Sequence, residues 1–220
     1  MSTKLQKIQF NNREEWLEAR KNYIGGSDAS AVLGMNPYKS NLELWQEKTG
    51  KIIPEDIGDK PYVKFGHNAE PLMREMFKLD FPQYEVSYSG DHIYLNKAFP
   101  FAHASLDGEL IEKETGRKGI LEIKTTNILQ SMQKEKWKDK IPDNYFVQVL
   151  HYLMVTGWDF AVLKARLKFD YDGDISCQIR HYKIERSDVS ADIEYLAEEE
   201  RKFWNSIKTG RKPSLILPDI

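Results

Sequence analysis

Two short apolar segments, each carrying a carboxylate, restrict the fold of this chain more than any other feature. Residues 99–111 are mostly apolar and contain Asp107, and residues 119–124 surround Glu122 with isoleucine and leucine. Apolar and β-branched residues bounded by turn residues favour strands. The polar segment between them, 112–118, contains a glycine and has the length of a hairpin loop. The sequence therefore predicts a β-hairpin with Asp107 and Glu122 on neighbouring strands.

This hairpin would gather two carboxylates and an ammonium group. Glu122 and Lys124 are two residues apart, so their side chains share one face of the strand while Ile123 points into packing. Two carboxylates repel each other unless a cation lies between them, and oxygen ligands with an open side suit Mg²⁺. Lys124 would orient or deprotonate a water there. A surface Asp beside an exposed strand salt bridge is the alternative, because this spacing is common by chance.

Composition limits the class of protein. The 220 residues are 40% hydrophobic and 30% charged, with no linker-like segment, which predicts one domain over 1–220 with a helical part at 1–50, a core at 62–208 and a tail at 210–220. A single cysteine excludes an internal disulfide, and no apolar run approaches about 18 residues, so we expect a cytoplasmic protein without a membrane span. The net charge of −2 disfavours broad coating of DNA but permits a locally basic groove.

The first fifty residues read as three helices. Residues 11–23 have an amphipathic pattern, and residues 41–49 form a helix ended by a glycine. Between them, Ser27 or Asp28 can cap a short helix that Gly34 closes. The N–H groups at such a helix start can bind an anion, whereas an ordinary capped helix is the plainer interpretation.

A further carboxylate adjoins the apolar face of the helix predicted over residues 65–77. An unpaired Glu70 there would be costly, so either Arg74, one turn on, or a metal ion partners it. Spacing alone favours Arg74. His67 reads as a capping or surface residue, and His103 as either a metal ligand or a structural polar residue.

The remaining segments predict strands, a buried helix and a basic cluster. Residues 84–94 read as one strand with a bulge or turn, and the lysines of 134–140 flank Trp137, as either a solvated helix face or a DNA-backbone contact. A buried helix over 143–156 precedes paired strands and a charged amphipathic helix over 188–208. This order of elements indicates an α/β protein with helices flanking a sheet.

Several of these segments together resemble a known family. Asp107 with Glu122-Ile123-Lys124 resembles the PD-(D/E)xK nuclease motif, with Leu106 in place of the proline. Residues 24–50, 104–108 and 119–125 are similar to the YqaJ-like viral recombinases of the lambda-exonuclease group. The resemblance covers about residues 22–208, and it implies a restriction-endonuclease-like core, with a central mixed sheet flanked by helices and an N-terminal helical decoration.

The resemblance also implies residue roles. Asp107, Glu122 and the Ile123 carbonyl would hold two Mg²⁺ ions, which Mn²⁺ can replace, while Lys124 positions the attacking water. Glu70 would assist as the last residue of a Gly-x-x-x-Glu pattern, although no acidic residue at 95–97 matches a further carboxylate of the family. A pocket for a 5′-terminal phosphate would consist of Arg20, Ser27, Ser105 and Gln148, the last of which begins a Gln-x-x-x-Tyr pattern and bridges to the metal centre.

The function implied is Mg²⁺-dependent 5′-to-3′ digestion of one strand of linear duplex DNA from a 5′-phosphorylated end. The resulting 3′ overhang would serve phage-type recombination in a bacterial cytoplasm. The implied partners are DNA ends, a phage single-strand annealing protein and two further copies in a trimeric ring. A restriction-like or structure-specific endonuclease would use the same residues, and a noncatalytic DNA-end-binding protein would need a broken site.

Overall fold

The computed structural model describes residues 5–128, 131–171 and 174–217. Its elements, in chain order, are β1 (Leu5–Gln9), α1 (Arg13–Lys21), α2 (Gly26–Val32), α3 (Asn41–Lys48), α4 (Pro61–Asp80), β2 (Tyr84–Ser87), β3 (His92–Asn96), β4 (His103–Ala104), β5 (Gly108–Glu112), β6 (Lys118–Ile128), α5 (Ser131–Lys136), α6 (Asp143–Thr156), β7 (Phe160–Tyr171), β8 (Asp174–Glu185) and α7 (Ser190–Thr209).

The strands form a mixed sheet and a smaller second sheet. The larger has the order β2-β5-β6-β7-β8, and the smaller has the order β1-β3-β4. Strands β5 and β6 form the predicted antiparallel hairpin, with Gly108 opposite Leu121, whereas β6 and β7 are parallel and are connected through α6. The predicted α/β architecture with a mixed sheet and flanking helices is therefore confirmed.

Alternate residues of β6 build the core on both faces of this sheet. Leu121 and Ile123 pack with Met73 and Phe77 of α4, and Ile120 belongs to the larger cluster that contains most of α6. Residues of α6 contact α2, α7 and strands of both sheets. Helix α6 therefore holds the N-terminal helices and the smaller sheet against the hairpin.

Most predicted elements are confirmed. Helices α1, α3 and α7 lie where the periodicity placed them, α6 has the predicted bounds, and β7 and β8 are antiparallel partners. Helix α4 is longer than predicted because it begins at Pro61. Proline is tolerated in the first turn of a helix, where a backbone N–H has no intrahelical hydrogen-bond partner in any case. No helix in the described ranges is long and apolar enough to cross a membrane.

Three expectations about strands were wrong or incomplete. The segment 84–94 forms two strands in different sheets, separated by a turn at which Asp91 has a φ of 46°. The segment 99–111 is likewise divided between β4 and β5, and Asp107 immediately precedes β5. Strand β1 was not predicted. It lies beside β3 in the smaller sheet, and three of its five residues are polar and exposed, a composition that is typical of a loop.

Two features at the chain's helical part also differ from expectation. The short helix α2 begins after Gly25, so neither Ser27 nor Asp28 is its N-cap. Asp28 instead accepts the Gly25 N–H at 3.1 Å and pairs with Lys48 at 2.8 Å. The tail is bound to α3 at Ser214 and Ile216: Asn41 donates to the Ser214 carbonyl at 2.7 Å and accepts the Ile216 N–H at 3.0 Å. The last three residues of the predicted tail, 218–220, lie outside the described residues.

Candidate active site

One cleft of about 330 Å³ contains all the residues that the sequence singled out for the active site. They come from α1, α2, α4, the segment before β5, β6 and α6. These cleft-lining residues are Arg20, Ser27, Glu70, Ser105, Asp107, Glu122, Ile123, Lys124 and Gln148. The fold thus brings distant segments of the chain to one place.

The hairpin places the two motif carboxylates beside each other at the base of the cleft. Asp107 Oδ2 accepts the backbone N–H of Ile123 at 2.8 Å, which ties the residue before β5 to β6. Glu122 is only 1% exposed, and its Oε1 lies 2.7 Å from Lys124 Nζ. Its second oxygen, Oε2, is buried with no hydrogen-bond partner among the described residues. Glu122 and Lys124 therefore share a face, as predicted.

The protonation behaviour of these groups reflects a shortage of positive charge. Burial raises the pKa of Asp107 well above its usual range, and the charges of Glu122 and Glu70 raise it further. Burial also raises the pKa of Glu122, although Lys124 opposes that shift. For Lys124, burial lowers the pKa, but Glu122 and Asp107 outweigh burial and leave its pKa raised. The Lys124 ammonium group therefore does not balance the negative charge of the neighbouring carboxylates.

These observations fit a divalent cation held by oxygen ligands. The unpartnered Glu122 Oε2 and the raised carboxylate pKa values indicate donors that a cation would satisfy. The donor set of Asp107, Glu122 and the Ile123 carbonyl is hard and suits Mg²⁺. Within the described residues, no three His, Cys, Asp or Glu side chains are grouped for metal binding. Asp107 and Glu122 are therefore candidate ligands, and the Ile123 carbonyl stays a predicted one.

Glu70 is partnered by the residue that spacing alone favoured. The Arg74 guanidinium contacts Glu70 Oε1, and its Nε donates to the Asp107 carbonyl at 2.7 Å. The same guanidinium lies 3.7 Å from the centre of the Tyr88 ring and is buried. Arg74 was considered only as a partner of Glu70, and no sequence signal marked Tyr88. A direct role of Glu70 in the active site stays a prediction.

The residues predicted for a phosphate pocket also line the cleft. The Arg20 guanidinium lies 4.3 Å from the centre of the Trp16 ring. Ser105 Oγ donates to the His92 carbonyl at 3.2 Å, and Gln148 Nε2 donates to the Tyr152 hydroxyl at 2.9 Å. Arg20 thus carries N–H donors into the cleft, whereas Ser105 gives its one hydroxyl donor to the His92 carbonyl.

A close approach between α2 and α6 brings Ser27 to this pocket. A Cβ added to Gly26 would lie 2.4 Å from Cε1 of Tyr152, so the side chain of alanine would not fit beside this ring. The glycine therefore allows α2 to rest directly on the Tyr152 ring, one turn of α6 beyond Gln148.

The residues whose roles the sequence left undecided lie in different parts of the structure. His67 lines the cleft, whereas His103 is 2% exposed, is not among the cleft-lining residues and has an Nδ1 without a partner in the described structure. Trp137 is buried, and its carbonyl accepts a hydrogen bond from the Tyr182 hydroxyl at 3.1 Å. The lysines at 134, 136, 138 and 140 are exposed and lie outside the cleft lining. A contact of these lysines with DNA stays a prediction.

Sequence reasoning missed several residues of the cleft wall. Among them are Arg13, Trp16, Tyr88 and His92. The helical spacing of Arg13, Trp16 and Arg20 on α1 was a signal that could have identified a shared face. The position of His92 in the cleft wall depends on the division of residues 84–94 between two sheets. No local sequence pattern predicted that division.

Comparison with known proteins identifies a family that matches this chain. A family model of the YqaJ-like viral recombinase domain matches residues 15–159. The protein YqaJ of Bacillus subtilis (strain 168) is 35% identical over 218 residues, an alignment that covers 93% of this chain and 59% of YqaJ. The chain therefore spans about three fifths of the length of this curated relative.

Solved structures show the same fold. An alkaline exonuclease from Laribacter hongkongensis, LHK-Exo, superposes with a TM-score of 0.61 at 19% identity, over 90% of this chain and 94% of that one. The structure of LHK-Exo in complex with dAMP gives a TM-score of 0.59 at 17% identity, over 90% and 96% of the two chains. The predicted restriction-endonuclease-like architecture is confirmed by this likeness.

Proposed function

The chain belongs to the YqaJ-like viral recombinase family, and we propose that it is a Mg²⁺-dependent DNA exonuclease. The observation that carries this proposal is that Asp107, Glu122 and Lys124 share one cleft with the Arg20 guanidinium and Ser105. A hydrolytic centre and an anion pocket in one cleft suit a phosphodiester at a DNA end. LHK-Exo, which shares the fold, is described as an alkaline exonuclease.

The carboxylates supply the cation site of this proposal. Asp107, Glu122 and the Ile123 carbonyl would hold two Mg²⁺ ions, and Mn²⁺ would substitute. When bound, these ions would offset the carboxylate charges and act as Lewis acids toward the phosphate. Glu70 would assist from α4, where Arg74 fixes its carboxylate.

The other cleft residues orient the reactants. Lys124 lies beside Glu122 and would position the attacking water while its positive charge stabilises the developing charge on the phosphate. Gln148, oriented by its hydrogen bond to Tyr152, would connect the reacting phosphate to the pocket for the terminal phosphate. These are roles in positioning and charge stabilisation, which account for much of the catalysis of phosphate-ester chemistry.

The phosphate pocket would make the enzyme specific for an end. Arg20, Ser27, Ser105 and Gln148 would bind a 5′-terminal phosphate, with Arg20 giving a bidentate charged contact. Digestion would then proceed from 5′ to 3′ along one strand of a linear duplex and leave a 3′ overhang. We further propose that a trimeric ring encloses the DNA, that a phage single-strand annealing protein uses the overhang, and that the protein acts in the cytoplasm of a bacterium carrying the phage or prophage.

Digestion of three DNA substrates tests this function. Linear duplex DNA with a 5′ phosphate, the same DNA with a 5′ hydroxyl, and closed-circular DNA are incubated with Mg²⁺ or with EDTA. We expect fast Mg²⁺-dependent loss of the phosphorylated strand only. Cutting of the circle would favour an endonuclease, and binding without any product would favour a noncatalytic DNA-end-binding protein.

The Arg20→Ala variant tests the pocket. It is expected to digest both linear substrates at similar rates, because the preference for the phosphorylated end depends on the guanidinium. A variant that keeps the wild-type preference would exclude Arg20 from the pocket.

A further inference from the structure

Helix α1 presents a second guanidinium to the cleft. Arg13 and Arg20 are two helical turns apart, and both line the cleft. The Arg13 guanidinium lies 5.4 Å from the centre of the Trp16 ring, which Arg20 also contacts. The Trp16 indole N–H donates to the His92 carbonyl at 3.0 Å, so the ring between these contacts is fixed.

Arg13 has no carboxylate partner among the described residues. Arg13 is exposed, and its polar contact in the described structure is with Nε2 of His67 at 3.4 Å. No ion pair formed by the described residues includes Arg13 or Arg20, whereas Lys21 of the same helix pairs with Glu18 at 2.5 Å. A guanidinium without a carboxylate partner keeps its N–H donors available for an anion.

Arg13 is directed to a different part of the cleft from Arg20. A separation of seven residues gives a rise of about 10 Å between the two Cα atoms. Arg13 contacts His67 of α4, whereas the predicted partners of Arg20 lie on α2, on α6 and before β5. The two arginines are therefore placed to meet different phosphates of one strand.

We propose that Arg13 binds an internal phosphate of the DNA strand whose terminal phosphate lies against Arg20. This inference rests on the proposed function, because it takes DNA as the ligand of the cleft. The contact is to the backbone, so it adds affinity without reading the base sequence or the chemistry of the 5′ end. It also supplies local positive charge to a chain whose net charge is −2.

The salt dependence of binding tests this contact. Anisotropy of a labelled linear duplex is measured with the whole chain in EDTA over a series of salt concentrations, for 5′-phosphate and 5′-hydroxyl ends. We expect Arg13→Gln to lower the slope of log K against log salt by about 0.9 and to weaken binding about eightfold near 0.1 M salt. The ratio of affinities for the two ends should stay at the wild-type value.

Two further variants separate charge from structure. Arg13→Lys is expected to restore the slope, since it keeps the positive charge, whereas a purely structural role of Arg13 would not be rescued in this way. Lys21→Gln removes one charge from the same helix outside the cleft lining and is expected to keep the wild-type slope.

The outcomes distinguish this inference from the proposed function. A wild-type slope for Arg13→Gln would overturn the inference alone, and so would loss of the preference for the phosphorylated end in this variant, because Arg13 would then bind the terminal phosphate. Failure of the wild-type protein to bind any DNA would overturn both the inference and the proposed function.

Discussion

Arg74 pairs with Glu70 across one turn of α4, and this pair joins the helix to the hairpin of β5 and β6. The guanidinium that contacts Glu70 also donates to the carbonyl of Asp107 at 2.7 Å. Position 107 is thereby held from two sides, by Arg74 at its carbonyl and by the Ile123 N–H at its carboxylate. Arg74 can thus determine where Asp107, a candidate ligand, lies.

Replacing Arg74 is therefore expected to reduce stability. Arg74→Met leaves Glu70 and the Asp107 carbonyl without their donor, and the loss should be about 2–4 kcal/mol in the free energy of unfolding. Urea denaturation measures it. The double variant Arg74→Met/Glu70→Gln should recover part of this loss, because the unpaired carboxylate is gone.

A surface pair provides the control for Arg74. Lys78 pairs with Glu75 on the exposed side of the same helix, and Lys78→Met should leave the free energy of unfolding nearly unchanged. Equal losses for the two methionine variants would show that the contacts of Arg74 do not stabilise the hairpin.

Lys124→Ala is expected to remove cleavage while binding and folding persist. In the proposed function the ammonium group would stabilise charge at the reacting phosphate, and loss of such a group commonly costs about 10²- to 10³-fold in kcat or more. Single-turnover digestion measures the rate, and anisotropy in EDTA measures binding. Lys78→Ala, which removes an exposed lysine outside the cleft lining, is the matched control. Wild-type turnover in Lys124→Ala would exclude the assigned role.

How far the sequence predicted this site depended on whether the relevant contacts are local. Asp107, Glu122 and Lys124 belong to one hairpin, so strand periodicity and loop length were sufficient to bring them together. The i,i+4 spacing likewise favoured the Glu70–Arg74 pair. These parts of the site follow from rules that operate over a few residues.

The remaining part required long-range packing. Arg20 and Ser105 line the same cleft because of how α1 and the smaller sheet pack together. The smaller sheet includes parts of the segments 84–94 and 99–111, which local patterns had assigned to continuous strands. Both residues were identified through resemblance to a family and not through spacing. The turn at Asp91 separates two segments of similar alternation, and strand pairing, which decides their sheets, is determined by tertiary contacts.

Asp107→Asn is expected to stabilise the protein in the absence of Mg²⁺. The raised pKa of Asp107 means that burial and the neighbouring carboxylates disfavour its charge, so a neutral amide removes a cost of about 1–2 kcal/mol. The amide oxygen can still accept the Ile123 N–H. Thermal unfolding in EDTA should show a higher midpoint than that of the wild type.

Addition of Mg²⁺ should reverse that order. The wild-type midpoint is expected to rise with the Mg²⁺ concentration, because an ion bound only by the folded state stabilises it. Asp107→Asn should show a much smaller rise, since a ligand has lost its charge. An equal rise in both proteins would place the Mg²⁺ site elsewhere, whatever the effect of the substitution on activity.

Stability is also expected to fall as the pH decreases below about 6.5, in part because of His103. Burial first, then the charges of Arg20, His151 and Lys48, lower the pKa of His103 well below its usual value, against the attraction of Asp28. Below about pH 6.5 the unfolded chain binds a proton at this position that the folded chain does not, so folding loses about 1.4 kcal/mol per pH unit for this group.

The pH dependence of stability that His103 contributes is opposite in sign to that of His151. Burial lowers the pKa of His151, but its contact with Glu200 at 2.7 Å outweighs burial and raises it, so that its contribution is complete below pH 6.5 and is lost at higher pH. Urea denaturation of His103→Gln between about pH 6.5 and pH 5 should therefore give a shallower decline than the wild type. His67→Gln, at an exposed position, should keep the wild-type decline. If His103→Gln also keeps it, the imidazole of His103 takes up its proton as readily in the folded protein as in the unfolded chain.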